Sequence, residues 1–309
     1  MKKALYYIVF SLWYVMSLLP LRLLYVLSDG LFYLIYHVVK YRRPLVRKNL
    51  TDSFPEKSED EIIRIERGYY SWFCDYIVET IKLFSMSRRQ MRRRMRFNGA
   101  EKIRESFAAG RPCSVYLGHY CNWEWITSLP LHVDNGICAQ IYHPIENKAF
   151  DSLFLKLRER FGAVSIEMDN TFRTIMSWKK GGRMNVVGYI ADQVPGLHNV
   201  HCWVDFLNHD TPVFTGAERI THLTGADVFY ADITRPKRGC YECNFIPIPM
   251  PEGGYEKFHF TKEYYRLLEN TIRRAPQYWL WSHNRWKRTR EDFNRLYSEE
   301  ERKRMLNRL

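Results

Sequence analysis

The chain reads SVYLGHYCNWEW over Ser114–Trp125, an apolar run that ends at a glycine and continues into a polar segment. A short, continuously apolar run bounded by Gly118 is typical of a strand that is buried on both faces, so we expect a strand over Cys113–Leu117. His119 then lies in a loop at the carboxyl edge of a sheet. Ligands bind at this edge in open α/β sheets, which makes the loop a candidate functional site.

The chain after Phe97 alternates short apolar runs with helical stretches. This alternation predicts an α/β fold with a mostly parallel central sheet flanked by helices. Upstream, apolar residues at three- and four-residue spacing predict a long helix after Ser53, and Ser58 with Glu61 has the pattern of a capping box at its start. Further strands are expected over residues 136–142, 164–166, 185–190, 226–233 and 241–247, with helices near residues 123–132, 149–161, 170–179 and 215–223.

His119 and Glu124 are the residues of this loop that can move or hold a proton. Histidine titrates near neutral pH and is a better base when a carboxylate fixes its tautomer, and we expect Glu124 to reach back to His119. The sequence has no Gly-x-Ser-x-Gly elbow, and its one Ser-x-x-Lys match, Ser177–Lys180, lies on an expected helix. Without an enzyme nucleophile, the histidine would deprotonate an acceptor hydroxyl that attacks an activated acyl group directly, with no acyl-enzyme intermediate.

The first forty residues are strongly apolar, from Ala4 to Leu21 and again up to Val39. The first run is slightly shorter than the ~20 residues that a spanning helix needs, and no small-residue cleavage site follows it. Basic residues flank the region at Lys2–Lys3 and in KYRRPLVRKN, residues 40–49. One tilted anchor and two helices lying in the membrane interface both fit this pattern, with the basic flanks favouring the cytoplasmic face; the alternative is a buried helical hairpin of a soluble protein.

The chain carries 47 Lys and Arg residues against 34 Asp and Glu residues, a net charge of +13 over 309 residues. Such an excess indicates an anionic partner: nucleic acid, an anionic membrane or an acidic protein. No nucleic-acid-binding motif is recognisable, which argues against the first. Six arginines lie between Arg88 and Arg96, and they form either a solvated helix face or a contact for lipid headgroups or an acidic protein.

Seven cysteines without regular spacing do not form a disulfide framework and indicate reduced thiols. Cys240 and Cys243 form a Cys-x-x-Cys pair without a second pair. They lie in a strand-like stretch that would point the two sulfurs to opposite faces. We therefore expect packing rather than a metal or redox site.

The segment His119–Glu124 resembles the His-x4-Asp/Glu motif of glycerolipid and lipid A acyltransferases, in the Asn-Trp-Glu form typical of the late acyltransferases of lipid A biosynthesis. Four further stretches resemble segments of that family, in the same order along the chain. The resemblance extends from the apolar N-terminus to Arg288. The stretches are YHPIENKAFDSLFLKLRERFG (142–162), GYIADQVPG (188–196), the segment 211–245 that begins TPVFTGAERITHLTG, and APQYWLWSHNRWKR (275–288).

The resemblance implies an inner-membrane acyltransferase with its active site on the cytoplasmic side. Such an enzyme transfers a fatty acyl chain from acyl carrier protein to a hydroxyl of a lipid A precursor. Residues 1–45 would form the membrane anchor and residues 46–309 the catalytic domain. The acyl chain arrives on the phosphopantetheine of the carrier, so no metal or further cofactor is implied. The positive charge would attract both the acidic carrier and the anionic membrane, and no nucleic-acid partner is expected.

By position in the family motifs, His119 would be the general base and Glu124 its partner. Arg158, in KLRERFG, would bind phosphate or stabilise oxyanion charge. The remaining residues expected at the substrate are Asn122, Asp192, Gln193 and His143.

His143 is the one plain departure from the family pattern. It stands where the family often has the arginine of a Tyr-Arg-Pro segment. A guanidinium offers a permanent bidentate charge, whereas histidine is mostly neutral at pH 7. We therefore expect His143 either to hydrogen-bond the substrate or to be structural, and to affect acceptor identity more than reaction type.

Other functions fit part of the sequence. An enzyme of the same chemistry could use an amino acid lipid or a glycerolipid as acceptor, because acceptor choice depends on pocket shape rather than on the base. A hydrolase would use water in place of the hydroxyl. A membrane-bound scaffolding or nucleic-acid-binding protein would use the arginines but would leave His119 and Glu124 without a purpose.

Overall fold

The structure, a computed structural model, describes residues 2–308, without the side chains of residues 2–6 and 8, so the predicted basic pair Lys2–Lys3 lies outside the described side chains. The helices in this range are α1 (Lys2–Leu18), α2 (Leu21–Tyr33), α3 (Arg43–Ser53), α4 (Glu59–Lys82), α5 (Arg88–Arg94), α6 (Ala100–Ala108), α7 (Lys148–Arg158), α8 (Thr171–Lys180), α9 (Gly216–Thr224), α10 (His259–Arg274), α11 (Arg290–Leu296) and α12 (Glu299–Leu306). The strands are β1 (Met95–Asn98), β2 (Cys113–Leu117), β3 (Ile137–Tyr142), β4 (Val164–Glu167), β5 (Asn185–Ile190), β6 (Cys202–Phe206), β7 (His209–Val213), β8 (Asp227–Lys237) and β9 (Cys240–Pro247).

Within the described residues, seven strands form one sheet in the order β1–β9–β8–β2–β5–β3–β4, and β6 with β7 forms a separate antiparallel hairpin. The run β8–β2–β5–β3–β4 is parallel throughout, while β9 is antiparallel to β8, and β1 is parallel to β9. The predicted α/β fold with a mostly parallel sheet is confirmed. The predicted strands are all present, but β8 continues beyond its expected end to Lys237, and β1 and the hairpin were not predicted.

β2 lies at the centre of the sheet, and all five of its residues are buried. On one face, Ser114 accepts a hydrogen bond from Thr221 of α9 at 2.8 Å, and Tyr116 packs against α10. On the other face, Val115 and Leu117 line a cavity. Burial on both faces explains why the strand reads as a continuous apolar run rather than an alternating one.

The apolar N-terminus forms two helices that are separated at Leu19–Pro20, where proline supplies no backbone N–H. α2 continues into a π-helical segment, Leu34–Val39. By length and composition alone, Leu21–Val39 is apolar enough to cross a membrane, with a mean hydropathy of 1.3, and Val9–Leu18 is a shorter apolar helix. The alternative of a buried hairpin is wrong for α2, because only 17% of this apolar stretch is buried.

α4 is the long helix predicted after Ser53, and its capping box is confirmed. Ser58 Oγ accepts from the backbone N–H of Glu61, and the Glu61 carboxylate accepts from the backbone N–H of Ser58 at 3.0 Å. α4 packs against α2 on one side and against the 3-10 turn Pro276–Tyr278 on another. It therefore connects the apolar N-terminus with the carboxy-terminal part of the fold.

Two further predictions concern local structure. The helix expected near residues 123–132 is a 3-10 helix, Trp123–Leu131, with Pro130 inside it. Proline has no backbone N–H to donate and disfavours the interior of an α-helix, so Pro130 argues against a regular α-helix over this segment. Cys240 and Cys243 lie on β9 as expected, and both are free thiols.

Candidate active site

Two loops meet where β2 and β5 end side by side. Leu117 pairs with Ile190 in the parallel register, so His119 and Asp192 each lie two residues beyond a matched pair. The Nδ1 atom of His119 is 2.6 Å from Asp192 Oδ1, and the backbone N–H of His119 donates to Asp192 Oδ2 at 2.8 Å. His119 was predicted at this edge and Asp192 at the substrate, but the pairing of the two was not predicted.

Asp192 fixes the tautomer of His119. Burial by itself raises the pKa of the Asp192 carboxyl, but the charge of His119 and the hydrogen bonds from His119 and Trp279 outweigh it, so this pKa is below its ordinary value. A carboxylate only accepts hydrogen bonds, so Nδ1 of His119 carries the proton and Nε2 keeps a lone pair. The Gln193 amide donates to that Nε2 at 3.2 Å. His119 is therefore in the tautomer that a general base requires.

Glu124 has a different partner from the expected one. Its carboxylate, 3% exposed, accepts from Arg158 Nε at 2.8 Å and from Nη2 at 2.7 Å, and Asp192 pairs with His119 in its place. The 3-10 helix that begins at Trp123 sets this indole against the His119 ring, with centroids 5.2 Å apart. Glu124 follows on a tight turn and reaches α7 instead.

The Glu124–Arg158 pair holds a cation at the wall of the site. Burial alone lowers the pKa of Arg158, but the charge and hydrogen bonds of Glu124 outweigh it and keep the pKa above its ordinary value. Two of the five guanidinium N–H groups point to Glu124, which leaves the others for an oxygen of a bound ligand. The arrangement can bind a carbonyl oxygen, an oxyanion or a phosphate.

A cavity of about 800 Å³ opens beside these groups. Its polar lining includes His119, Glu124, Arg158, Gln193 and His143. This volume is typical of sites for small molecules and cofactors, which are mostly apolar with a few polar groups. Much of the remaining lining is apolar and includes Val115, Leu117, Ile126, Leu129, Ile220 and Phe245.

The structure separates the roles available to Asn122 and His143. Asn122 is fully buried; its amide donates to Glu79 at 2.7 Å and its oxygen accepts from the backbone N–H of Trp125. It therefore holds the loop rather than lining the cavity, which differs from the expected substrate contact. His143 is an exposed residue of the cavity lining, and its Nδ1 is 3.0 Å from the carbonyl oxygen of Pro144.

The carboxy-terminal stretch contributes residues that sequence reasoning missed. Trp279 is buried, and its indole donates to Asp192 Oδ2 at 2.8 Å. His283 accepts from the backbone N–H of Val194, and burial is the main cause that lowers its pKa to about 4. Membership of the APQYWLWSHNRWKR stretch was the available signal, but an aromatic run alone does not separate core from site.

Metal ligation finds no support in the part of the chain that the structure describes. Across residues 2–308, no group of three or more His, Cys, Asp or Glu residues is arranged to hold a metal ion. The polar groups that line the cavity include the His119 imidazole, the Gln193 amide and the Arg158 guanidinium paired with Glu124.

Comparison with known proteins identifies the family of the chain. The family model described as bacterial lipid A biosynthesis acyltransferase matches residues 1–288. A lipid A biosynthesis lauroyltransferase of Escherichia coli (strain K12) is 25% identical over 278 residues, 89% of each chain. A lipid A biosynthesis palmitoleoyltransferase of the same strain and a lipid A biosynthesis acyltransferase of Shigella flexneri are each 22% identical over 254 residues, 81% of this chain and 80% of theirs. The chain therefore belongs to the bacterial lipid A biosynthesis acyltransferase family.

Proposed function

We propose that this protein is a membrane-bound O-acyltransferase that transfers a fatty acyl chain from acyl carrier protein to a hydroxyl of a lipid A precursor. The observation that carries the proposal is the His119 ring, whose Nδ1 is held by Asp192 at 2.6 Å while the ring lines an 800 Å³ cavity. Family membership supports the lipid A acceptor. The apolar part of the lining suits an acyl chain.

In the proposed reaction, Nε2 of His119 takes the proton of the acceptor hydroxyl as the oxygen attacks the thioester carbonyl carbon. The negative charge that develops on the carbonyl oxygen is stabilised by Arg158, which Glu124 orients and keeps charged. The C–S bond then breaks, and the imidazolium returns its proton to the departing thiolate of the phosphopantetheine. The products are an ester and a free thiol, and Asp192 stabilises the imidazolium between the two transfers.

When no acceptor is bound, the Gln193 amide donates a hydrogen bond to the lone pair of His119 Nε2. In the proposed mechanism the acceptor hydroxyl replaces this amide as the hydrogen-bond partner of Nε2. The amide is then free to donate to a substrate oxygen at the same wall of the cavity.

The donor and the location are further parts of the proposal. The net charge of +13 suits an acidic carrier protein, which brings the phosphopantetheine so that no other cofactor is needed. Residues 1–45 attach the protein to the inner membrane through their exposed apolar side chains, and residues 46–309 act on its cytoplasmic side. The basic residues that follow the apolar segment favour this orientation.

The test is the intact mass of lipid A from cells that lack the protein, complemented with wild type, His119→Ala or His222→Ala. His222 is an exposed histidine of α9 and serves as the matched control. We expect the deletion to remove one acyl chain, and wild type and H222A to restore it. H119A at equal protein level should not.

Other outcomes would redirect or overturn the proposal. Restoration by H119A would exclude His119 as the base. Unchanged lipid A in the deletion strain would exclude a lipid A precursor as the acceptor. The amino acid lipids and glycerolipids of the deletion and wild-type strains would then be compared. Thioester cleavage by the purified protein at the same rate with and without acceptor lipid would indicate a hydrolase.

A further inference from the structure

α2 and the π-helical segment after it lie lengthwise along α4. Three of their hydroxyls donate to carboxylates of α4 at 2.7–3.0 Å: Tyr25 to Glu79, Ser28 to Asp75, and Tyr36 to Glu66. The partners run in reverse order, so the two helices are antiparallel and in contact over the span from Glu66 to Glu79, about 20 Å at 1.5 Å per residue. A helix held in this way follows the surface of the catalytic domain instead of leaving it.

The opposite face of the same helices is apolar and exposed. So many exposed apolar side chains on neighbouring helices are unusual on a soluble monomer and indicate an interaction site. The exposed apolar side chains include Leu23, Val26, Leu27, Tyr33, Leu34 and Val38 of α2 and the π-helical segment, and the preceding α1 exposes Leu12, Val15 and Leu18.

Charged side chains lie at the middle of the apolar stretch Leu21–Val39. Asp29 is within one residue of its midpoint, its side chain is 63% exposed, and it pairs with Arg238 at 2.6 Å. Arg22 and Asp29 are seven residues apart and therefore share one flank of α2. A helix that spanned the bilayer would place this ion pair in the hydrocarbon centre, which is costly, whereas a helix in the interface keeps it among the headgroups.

Basic residues lie at both ends of the same stretch. At the first end, Lys82 donates to the carbonyl oxygens of Ser17, in the last turn of α1, and of Leu19, in the α1–α2 link, and α5 begins six residues later along the chain. α5 exposes four arginines, Arg88, Arg89, Arg92 and Arg93. At the second end, Lys40, Arg42 and Lys48 are exposed. The ends are about 28 Å apart, so a spanning helix would send one basic end to the far side of the membrane.

We infer that α1, α2 and the π-helical segment do not cross the membrane but lie in the plane of one anionic leaflet. Their apolar face enters the acyl region, and the basic groups at both ends contact anionic headgroups of that same leaflet. The inference rests on the membrane attachment proposed above and not on the reaction. It has a structural consequence for the site, because Tyr25 of α2 donates to Glu79, the same carboxylate that accepts from Asn122 of the loop.

Cysteine labelling tests the orientation of the full-length protein in bacterial membranes. Reporter cysteines replace Arg22 and Lys48, one at each end of the stretch, in a Cys240→Ser background whose other cysteines are buried. With a membrane-impermeant maleimide, we expect both R22C and K48C to react in inside-out vesicles and neither to react in spheroplasts. Reaction of one reporter from each side would overturn the in-plane orientation while leaving membrane attachment intact.

Vesicle binding tests the lipid partner separately. We expect the protein to bind vesicles of phosphatidylglycerol more tightly than vesicles of phosphatidylcholine, and Arg92→Gln with Arg93→Gln to weaken the former roughly ten-fold or more. The matched control is R304Q/R308Q on the carboxy-terminal segment, where Met305 and Leu306 contact His201 and Lys257. Equal losses in both double variants would contradict a specific headgroup contact. No binding to either vesicle would overturn membrane attachment itself.

Discussion

The two carboxylates of the site pair with two different basic side chains. Asp192 holds the imidazole of His119, and Glu124 holds the guanidinium of Arg158. Both carboxylates are buried, whereas His119 and Arg158 line the cavity. A ligand in the cavity therefore meets an imidazole and a guanidinium whose orientations the carboxylates fix. In the proposed mechanism, this division separates proton transfer, by His119, from charge stabilisation, by Arg158.

Asp192→Asn tests the first of these pairs. An amide cannot stabilise the imidazolium, so we expect kcat to fall by about 10²–10⁴-fold while KM changes little. Steady-state rates with acyl carrier protein as donor would measure this. The control is Trp279→Phe, which removes one of the hydrogen bonds to Asp192 and should lower kcat by a smaller factor. A folded D192N protein with normal kcat would show that Asp192 is not needed for catalysis.

His283 makes the protein less stable in acid. Its pKa falls from 6.5 in the unfolded chain to about 4 in the folded one, chiefly because the ring is buried. Asp192 raises this pKa, and Arg285 and His119 lower it. Between these two pH values the folded state binds fewer protons than the unfolded state. The free energy of unfolding is therefore highest above pH 6.5 and decreases by up to ~3 kcal/mol as the pH drops toward about 4.

His283→Gln should flatten this dependence, because glutamine gains no charge and can still accept the hydrogen bond from Val194. Urea unfolding of wild type and H283Q at a series of pH values between about 7 and about 4 would measure it. The exposed His222→Gln serves as control. Identical slopes for wild type and H283Q would contradict the prediction.

At the scale of elements, α4 holds together parts that are far apart in sequence. Glu79 accepts hydrogen bonds from Tyr25 of α2, Asn122 of the loop and Tyr241 of β9. Burial raises the pKa of the Glu79 carboxyl, although Arg235 and these three donors act in the opposite direction. The position of the loop that carries His119 and Asn122 therefore depends on the helix that also contacts the apolar N-terminus.

Ser58→Ala tests how much the start of α4 contributes. Removing the capping hydroxyl should lower the free energy of unfolding by about 1 kcal/mol and leave activity unchanged, because the cap is exposed and far along α4 from Glu79. Denaturant unfolding is the measurement. Ser298→Ala removes the same kind of cap from α12 at the end of the chain, where local fraying should make the loss smaller. A drop in activity for S58A would show that the cap also positions the site.

For the whole molecule, charge governs encounter with partners. At +13, the protein should attract an acidic carrier through long-range electrostatics, which salt screens over a Debye length of about 8 Å at physiological ionic strength. We expect KM for acyl carrier protein to rise several-fold with added salt, while KM for a small acyl thioester without a carrier stays constant. Parallel titrations of both donors would measure the difference. If the KM values of both donors rose equally with salt, the salt would act on the active site and not on the encounter with the carrier.

Local patterns were sufficient to predict much of the fold. Three of the confirmed predictions depend only on residues close together in sequence. They are the apolar run Cys113–Leu117, the three- and four-residue spacing of α4 and its Ser58–Glu61 cap. The strand β1 escaped prediction because its alternation lasts only four residues, and the hairpin of β6 and β7 because its mixed polar and apolar residues give weak periodicity.

The sequence by itself determined which residues stand at the carboxyl edge of the sheet, since that follows from where each apolar run ends. Only the tertiary structure decided that His119 pairs with Asp192 and Glu124 with Arg158. Strand neighbours are set by packing between segments some 70 residues apart, and the register of β2 with β5 is what brings positions 119 and 192 together. Likewise, hydropathy determined that the N-terminus is apolar, but the contacts of α2 along α4 decided which of its faces stays exposed.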